Sequence, residues 1–172
     1  MTKPAMEAPR IGIVGWKNSG KTTLAAALIA ELTARDLVVA SVKSAHHDFQ
    51  IDDPKTDSGK HATAGAAQTA ILGSARWAIM GNDKDAEPLT LDDILARMSP
   101  CDVIVIEGFK NSTHPKIEVR GDHDDRSTLA DTDPAIIAIA SDAEIETSLP
   151  VFRRDAITEL SDFAVGKLGV LI

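Results

Sequence analysis

The segment at residues 11–23 reads IGIVGWKNSGKTT and constrains the fold of this chain more than any other part of the sequence. It matches the phosphate-loop pattern G-x-x-x-x-G-K-[ST] at Gly15, Gly20, Lys21 and Thr22. Glycines in such a loop let successive backbone N–H groups surround a phosphate, because no Cβ obstructs the approach. An apolar strand is predicted before the loop and a helix after it, which is the context that a nucleotide-binding loop requires.

The loop and the first helical turn contain the predicted nucleotide-binding residues. Lys21 is expected to reach the β- and γ-phosphate oxygens and to act in catalysis, while Thr22 offers its hydroxyl to Mg²⁺. The helix directs the positive end of its dipole at the same anion. The predicted binding residues in this segment are Gly15, Lys17, Asn18, Ser19, Gly20, Lys21, Thr22 and Thr23.

Predicted strands and helices alternate along the chain, which is typical of a parallel sheet with covered faces. The strands are expected at Ile11–Val14, Leu37–Val42, Gln68–Leu72, Ala75–Met80, Asp102–Glu107, Lys116–Val119 and Ala135–Ala140. The helices are expected at Lys21–Arg35, Gly59–Ala67, Thr90–Met98 and Asp155–Lys167. This order predicts an α/β fold, a P-loop NTPase three-layer sandwich with helices on both faces of a mostly parallel central sheet. We expect residues 1–172 to form a single nucleotide-binding domain.

Charge and composition narrow the class of protein. A net charge of −8 with no cluster of basic residues argues against a nucleic-acid partner. Residues 1–9 lack the apolar core of a signal peptide, and no apolar run has the length of a membrane span. The single cysteine, Cys101, excludes an internal disulfide and favours a reducing compartment. We therefore expect a cytoplasmic protein without membrane contact, in which Cys101 is a small buried residue.

Two acidic residues are candidates for chemistry beside the loop. Glu107 ends a strongly apolar strand, where its carboxylate can hold the Mg²⁺ shell or orient a water next to Thr22. Asp48 follows the second predicted strand, where phosphate-loop nucleotidases have a switch loop, and is the candidate for positioning the attacking water. The predicted catalytic residues are Lys21, Asp48 and Glu107, and the predicted metal ligands are Thr22 and Glu107.

Several further segments resemble the molybdopterin-guanine dinucleotide biosynthesis protein B family. They follow one another in order along most of the chain, and together they are far more specific than the phosphate loop alone. The matching segments are Gly15–Thr23, Lys43–Asp53 with its His-His-Asp, Lys60–Thr69, Trp77-Ala78, Glu107-Gly108-Phe109-Lys110 and Ala140-Ser141-Asp142.

The resemblance implies a GTP-binding protein with weak Mg²⁺-dependent GTPase activity. In that family the role is that of an adapter, which helps a partner enzyme attach GMP to the pterin of the molybdenum cofactor. The cofactors implied are Mg²⁺ and GTP. The partners implied are a molybdenum cofactor guanylyltransferase and other proteins of cofactor biosynthesis.

Two other classes of phosphate-loop protein stay open on the residues. A small-molecule kinase would use the same loop but needs a lid of arginines, for which the chain offers Arg120, Arg126 and the Arg153-Arg154 pair. A metal-insertion GTPase would use His46 and His47 to load its metal. Adjacent residues on extended backbone point to opposite faces, however, so these two histidines do not readily share one ion.

The last predicted site residue is Asp142, which follows strand Ala135–Ala140 where this fold places its base-reading loop. Guanine presents N1–H and N2–H₂ side by side, so one carboxylate can accept both protons. Adenine has no such donor pair and would leave the carboxylate desolvated without partners. Asp142 is therefore expected to select GTP. The alternative is a solvated turn residue, a place where aspartate is common.

The sequence also predicts a homodimer. Gly73-Ser74 lies between two apolar segments and is a hairpin signal, and a hairpin edge has unpaired N–H and C=O groups that favour pairing with another chain. Trp77 and Ile79 would give such an interface its apolar anchor. The alternative is that the hairpin folds over its own core, with Trp77 as a packing residue.

Overall fold

The structure is a computed structural model that describes residues 2–45, 53–81, 88–121 and 126–170. The elements along the chain are β1 (Arg10–Gly15), α1 (Lys21–Ala34), β2 (Val39–Lys43), α2 (Asp57–Thr63), β3 (Gln68–Leu72), β4 (Trp77–Gly81), α3 (Leu91–Leu95), β5 (Val103–Glu107), β6 (Lys116–Val119), a short 3-10 helix (Leu129–Asp131), β7 (Ile136–Ala140), β8 (Val151–Phe152) and α4 (Ile157–Leu168). They form two compact units, one of residues 1–44 with 90–172 and the other of residues 45–89. The expectation of a single domain stays a prediction.

The first unit contains a six-stranded sheet in the order β2-β5-β1-β6-β7-β8, in which every neighbouring pair is parallel. One face packs on α1 and α4 through a core that includes Leu28, Leu32 and Leu160. The other face packs on α3 through Leu91 and Leu95. The predicted three-layer α/β fold with a parallel central sheet is therefore confirmed.

The position of β1 determines where the chemistry lies. β1 hydrogen-bonds to β5 on one side and to β6 on the other, so the strand order reverses direction around it. In open parallel sheets, ligands bind at the carboxyl ends of the strands beside such a reversal. The phosphate loop leaves β1 at this place and leads directly into α1.

The second strand differs from its expected burial. The apolar run Leu37–Val42 predicts a strand buried on both faces. In the structure β2 pairs only with β5 and forms the edge of the sheet, and its residues are partly or fully exposed. An apolar run shows which side chains one strand carries, but it does not show how many neighbouring strands pair with that strand.

The second unit contains α2 and a separate two-stranded antiparallel sheet of β3 and β4. The predicted hairpin is present, but its connection has four residues because β4 begins at Trp77, and the N–H of Gly73 donates to the carbonyl of Arg76. Helix α2 begins after Thr56, whose hydroxyl accepts a hydrogen bond from the Gly59 N–H. Among the described residues of the whole chain, no helix has the length and apolar character needed to cross a bilayer.

Candidate functional site

The phosphate loop has the backbone that its glycines permit. Gly15 and Gly20 have φ values of 152° and 98°, and Asn18 lies at 66°. L-residues rarely adopt such angles. A Cβ on Gly15 would also collide with the Val119 carbonyl oxygen at the end of β6, and with the Ser19 hydroxyl. Gly15 is therefore required both for the turn of the loop and for its close approach to the neighbouring strand.

Lys21 lies against the inside of this loop. Its Nζ donates to the carbonyl oxygen of Trp16 at 2.6 Å. Burial lowers the pKa of the ammonium below its ordinary value, and the nearby Lys110 lowers it further. An anion bound in the loop would relieve both effects, because it would supply the negative charge that the burial of a cation requires.

Three strand ends bring the predicted metal ligands together. Glu107 is paired in register with Ile13 of β1 on one side and with Lys43 of β2 on the other. The Thr22 hydroxyl donates to Glu107 Oε1 at 2.9 Å. Lys43 Nζ donates to the same carboxylate oxygen at 2.5 Å and lies 3.3 Å from Thr22 Oγ1. The structure thus places the Thr22 hydroxyl and the Glu107 carboxylate in direct contact, and the Lys43 ammonium lies close to both oxygens.

This pair of oxygens suits Mg²⁺. The ion prefers hard oxygen ligands in octahedral geometry, in which two adjacent ligands about 2.1 Å from the metal are about 3 Å apart. The separation of 2.9 Å between Thr22 Oγ1 and Glu107 Oε1 matches that edge. One hydroxyl and one carboxylate leave the other coordination positions for phosphate oxygens and water, as is usual for Mg²⁺ at nucleotide sites.

Trp16, the second residue of the loop, is held by two cations. Lys110 Nζ lies 4.3 Å from the centre of its ring and the Arg126 guanidinium carbon lies 5.1 Å from it. The indole N–H donates to the carbonyl oxygen of Ser127 at 3.2 Å. Cation–π contacts of this kind contribute about 0.5–2 kcal/mol each. They also bring two positive charges to the loop.

A polar network on β6 supports the segment that carries Arg126. Glu118 is fully buried, and its two carboxylate oxygens accept the backbone N–H groups of Leu129 and Ala130, each at 3.0 Å. Arg120 donates to Glu118 and to the carbonyl oxygen of Arg126, the latter at 2.7 Å. Arg120 and Arg126 were expected from the sequence only as candidate lid arginines of a kinase, and Glu118 was not expected at the site. The only signal for Glu118 is that it is a charged residue within strand Lys116–Val119, which an exposed strand would show as well.

Asp142 follows β7 as expected, and its carboxylate already has a cationic partner. Arg154 donates to it twice, from its backbone N–H to Oδ1 at 3.1 Å and from Nε to Oδ2 at 2.7 Å. These two hydrogen bonds lower the pKa of the carboxyl. Arg154 Nη1 is also 3.8 Å from the position of a Cβ on Gly20. Arg154 thus lies between the predicted base reader and the phosphate loop. The sequence suggested it only as a lid arginine of a kinase and gave no sign of its pairing with Asp142.

The remaining predicted residues differ in exposure. Lys17, Asn18 and Thr23 are exposed to solvent on the loop and the first turn of α1. Ser19 is buried, and its hydroxyl has no hydrogen-bond partner among the described residues. Asp48, together with His46 and His47, lies outside the described residues, so its predicted role is not tested.

Comparison with known proteins identifies similar sequences over the region that contains this site. The family model "Molybdopterin guanine dinucleotide synthesis protein B" matches residues 10–142, which include the loop, Glu107 and Asp142. The chain is 36% identical over 160 residues to the molybdopterin-guanine dinucleotide biosynthesis adapter protein of Escherichia coli (strain K12), and the alignment covers 91% of each chain. It is 33% identical over 161 residues to the protein of the same name from Haemophilus influenzae, with 91% of this chain and 88% of that protein covered.

Solved structures agree with these relatives. A crystal structure of molybdopterin-guanine biosynthesis protein B superposes with a TM-score of 0.72 at 27% identity, covering 92% of this chain and 99% of that one. A MobB homologue from Bacillus stearothermophilus gives a TM-score of 0.68 at 25% identity, covering 94% and 99%. The likeness therefore extends over both compact units and over nearly the full length of each solved chain.

Proposed function

The chain belongs to the molybdopterin guanine dinucleotide synthesis protein B family, and on that premise we propose that it is a GTP-binding adapter of molybdenum cofactor biosynthesis. The relatives at 36% and 33% identity are named as adapter proteins for molybdopterin-guanine dinucleotide biosynthesis. In this role the chain binds GTP and assists a guanylyltransferase that attaches GMP to molybdopterin. It works with cofactor-biosynthesis proteins in the cytoplasm and requires neither nucleic acid nor a membrane.

One observation carries the nucleotide part of the proposal. The phosphate loop, Thr22 and Glu107 converge at the carboxyl ends of adjacent parallel strands. There the loop N–H groups and the start of α1 favour an anion. Lys21 adds an ammonium whose lowered pKa reflects burial and neighbouring cations. A nucleoside triphosphate supplies the negative charge that the loop and Lys21 favour, and its metal ion supplies the positive charge that Thr22 and Glu107 favour.

Mg²⁺ is the proposed metal, and Thr22 and Glu107 are the residues that would hold it. When bound, it neutralises charge on the β- and γ-phosphates. Lys21 then orients the phosphates, and Gly15, Lys17, Asn18, Ser19, Gly20 and Thr23 form the loop around them. Asp48 is proposed to position the attacking water. Slow hydrolysis is expected from the resemblance to the family.

The arginines of the site favour an adapter over a small-molecule kinase. A kinase lid needs arginines that close over the phosphates, whereas Arg120 is buried against Glu118 and Arg153 pairs with Asp155. Arg154 is engaged with Asp142 beside the loop. The metal-insertion alternative depends on His46 and His47, which lie outside the described residues, and no observation among the described residues favours it.

The nucleotide proposal is tested by substituting Lys21. We expect Lys21→Ala to lose at least tenfold in GTP affinity, because charge-assisted contacts to phosphate contribute roughly 1.5–3 kcal/mol. The fold should persist, since the side chain makes one hydrogen bond to the loop and belongs to neither core cluster. The measurement is calorimetric titration with GTP and Mg²⁺, with thermal unfolding as a check on the fold.

Lys60→Ala is the matched control, because Lys60 is an exposed lysine of the second unit that forms an ion pair with Asp57. It should bind GTP as the wild type does. A folded Lys21→Ala protein with unaltered GTP affinity would remove the phosphate-loop assignment. Fast turnover that depends on a small-molecule acceptor would contradict the adapter role and favour the kinase.

A further inference from the structure

Lys43 occupies the place where a metal ion is expected. Its Nζ donates to Glu107 Oε1 at 2.5 Å and lies 3.3 Å from Thr22 Oγ1, which are the two oxygens that fit Mg²⁺. We propose that Lys43 is an internal cation of this site: it neutralises Glu107 when no metal is bound, and Mg²⁺ has to displace it. This inference rests on the proposed function, because it concerns the same nucleotide site.

The register of the sheet makes this contact a consequence of the fold. Lys43 and Glu107 are the last residues of neighbouring parallel strands and are paired directly across from each other. Side chains paired in this way point to the same face of the sheet. The ammonium therefore reaches the carboxylate through the pairing of β2 with β5.

Glu107 and Lys43 differ in burial, so only the lysine side chain can leave the contact easily. The Glu107 side chain is 13% exposed, whereas the Lys43 side chain is 59% exposed at the edge of the sheet. A largely buried carboxylate is costly to leave without a cation. A flexible lysine at an exposed edge can move its charge into water with little loss of packing. Glu107 thus always needs a positive charge, and Lys43 is the one that can leave.

Mg²⁺ and the Lys43 ammonium compete for the lone pairs of Glu107 Oε1 and Thr22 Oγ1. Glu107 Oε1 already accepts hydrogen bonds from both Thr22 and Lys43. A metal ion on that oxygen would lie next to the ammonium in a partly buried place, where like charges repel more strongly than in water. Thr22 would also have to turn its hydroxyl proton away to offer a lone pair. Binding of Mg²⁺ with the nucleotide therefore releases Lys43, at the point where β2 passes into Ser44 and the segment beyond.

The experiment measures Mg²⁺ affinity at saturating GTP by calorimetry in wild type and Lys43→Met. Removing the competing charge should tighten Mg²⁺ binding about fivefold, a change in the range of partly exposed ion pairs. Lys60→Met removes the same charge from an ion pair with a similarly exposed lysine, 63% against 59%, and should leave Mg²⁺ affinity unchanged. A second neutral variant, Lys43→Gln, should behave as Lys43→Met does.

A double-mutant cycle identifies the partner. In a Glu107→Gln background the carboxylate charge is gone, so Lys43→Met should no longer tighten Mg²⁺ binding. A second readout uses nucleotide-free protein and Mn²⁺ as the probe in electron paramagnetic resonance, where Lys43→Met should again bind more tightly than wild type.

Two results would overturn the inference. Lys43→Met with unchanged Mg²⁺ affinity but weaker GTP binding would make Lys43 a phosphate ligand. A tightening that persists in the Glu107→Gln background would show that the charge acts without the carboxylate. Both leave the proposed function intact, whereas a wild-type chain that binds no GTP with Mg²⁺ would overturn the proposed function and this inference with it.

Discussion

At the scale of single residues, the proposed selection of guanine by Asp142 involves Arg154. Asp142 is bound by the backbone and the side chain of Arg154, and Arg154 also approaches Gly20 of the phosphate loop. To bind guanine, the Asp142 carboxylate would have to give up its hydrogen bonds from Arg154 and accept hydrogen bonds from the guanine N1–H and N2–H₂ instead. The released guanidinium would then lie beside the nucleotide, next to the phosphates. Base reading and phosphate binding would be coupled through one arginine.

We predict that Asp142→Asn discriminates against GTP and favours xanthosine triphosphate. The new amide cannot accept both guanine donors, but its NH₂ can donate to the oxygen that xanthine carries at position 2. The loss of GTP affinity should exceed about tenfold, because two charge-assisted hydrogen bonds are removed. Competition titrations with GTP, ATP and xanthosine triphosphate measure the change.

Asp155→Asn is the control for this variant, since Asp155 is a nearby exposed carboxylate that pairs with Arg153. It should retain the wild-type order of nucleotides. If Asp142→Asn keeps its preference for GTP over ATP, guanine is recognised by another part of the chain.

At the scale of elements, β6 is the unusual strand. It lies between β1 and β7, and all four residues from Lys116 to Val119 are buried although two of them carry charge. Lys116 pairs with Asp133 and donates to the carbonyl oxygen of Lys110. Glu118 pairs with Arg120 and accepts two backbone N–H groups from the segment that follows Arg126. Buried charges are tolerated when paired and fully hydrogen-bonded. Through them the strand holds both segments that flank Trp16.

His114, just before β6, gives this arrangement a pH dependence. Burial, together with the nearby Lys116 and Arg10, lowers its pKa to about 4 against a smaller opposing effect of Asp133. In the unfolded chain the imidazole takes up a proton near pH 6.5, whereas in the folded chain it stays neutral down to about pH 4. The folded state therefore has its full stability above pH 6.5 and loses stability as the pH falls toward 4. The difference in pKa corresponds to a loss of at most about 3 kcal/mol.

We predict that urea unfolding shows this loss between pH 7 and pH 4.5, and that His114→Gln has a flatter dependence because it cannot take up the proton. His61→Gln removes an exposed histidine of α2 and should keep the wild-type slope. Equal slopes for His114→Gln and wild type would assign the acid sensitivity to other groups.

At the scale of the whole molecule, the second unit has an apolar surface that no described residue of that unit covers. In the second unit, Leu72 and Trp77 face each other across the hairpin, and Ile79 follows on the same side. These side chains are 86%, 67% and 62% exposed. Trp77 is therefore largely exposed among the described residues of the second unit, which argues against a packing role within that unit. A two-stranded sheet alone is marginally stable in water, so such a surface favours an interface.

We predict a homodimer that joins through this hairpin, seen by sedimentation at tens of micromolar, about the range expected for weak association. The double variant Trp77→Ser with Ile79→Ser should sediment as a monomer, because it removes the apolar anchor. Met6→Ser changes an exposed apolar residue of the first unit and should stay dimeric. A wild-type chain that is monomeric at these concentrations would contradict the prediction.

The sequence alone determined the phosphate loop, the alternation of strands and helices, and the acidic end of the strand that finishes at Glu107. These features depend on short-range rules: which residues permit a tight turn, and which spacing gives a helix or a strand one apolar side. For example, Thr90 and Asp93 predict a capping box, and the structure has both of its hydrogen bonds. The contact of Thr22 with Glu107 was predictable because parallel strands end at one edge of the sheet.

Only the tertiary structure decided which partner each polar side chain has. Lys43 meets Glu107 because β2 pairs with β5, Trp16 contacts both Lys110 and Arg126, and Asp142 binds Arg154. Each of these contacts joins residues that are distant in sequence, and local periodicity contains no information about them. The edge position of β2 and the burial of Lys116 and Glu118 have the same origin, because both depend on which strands lie on either side. Strand order is set by the packing of the whole sheet and by no single segment.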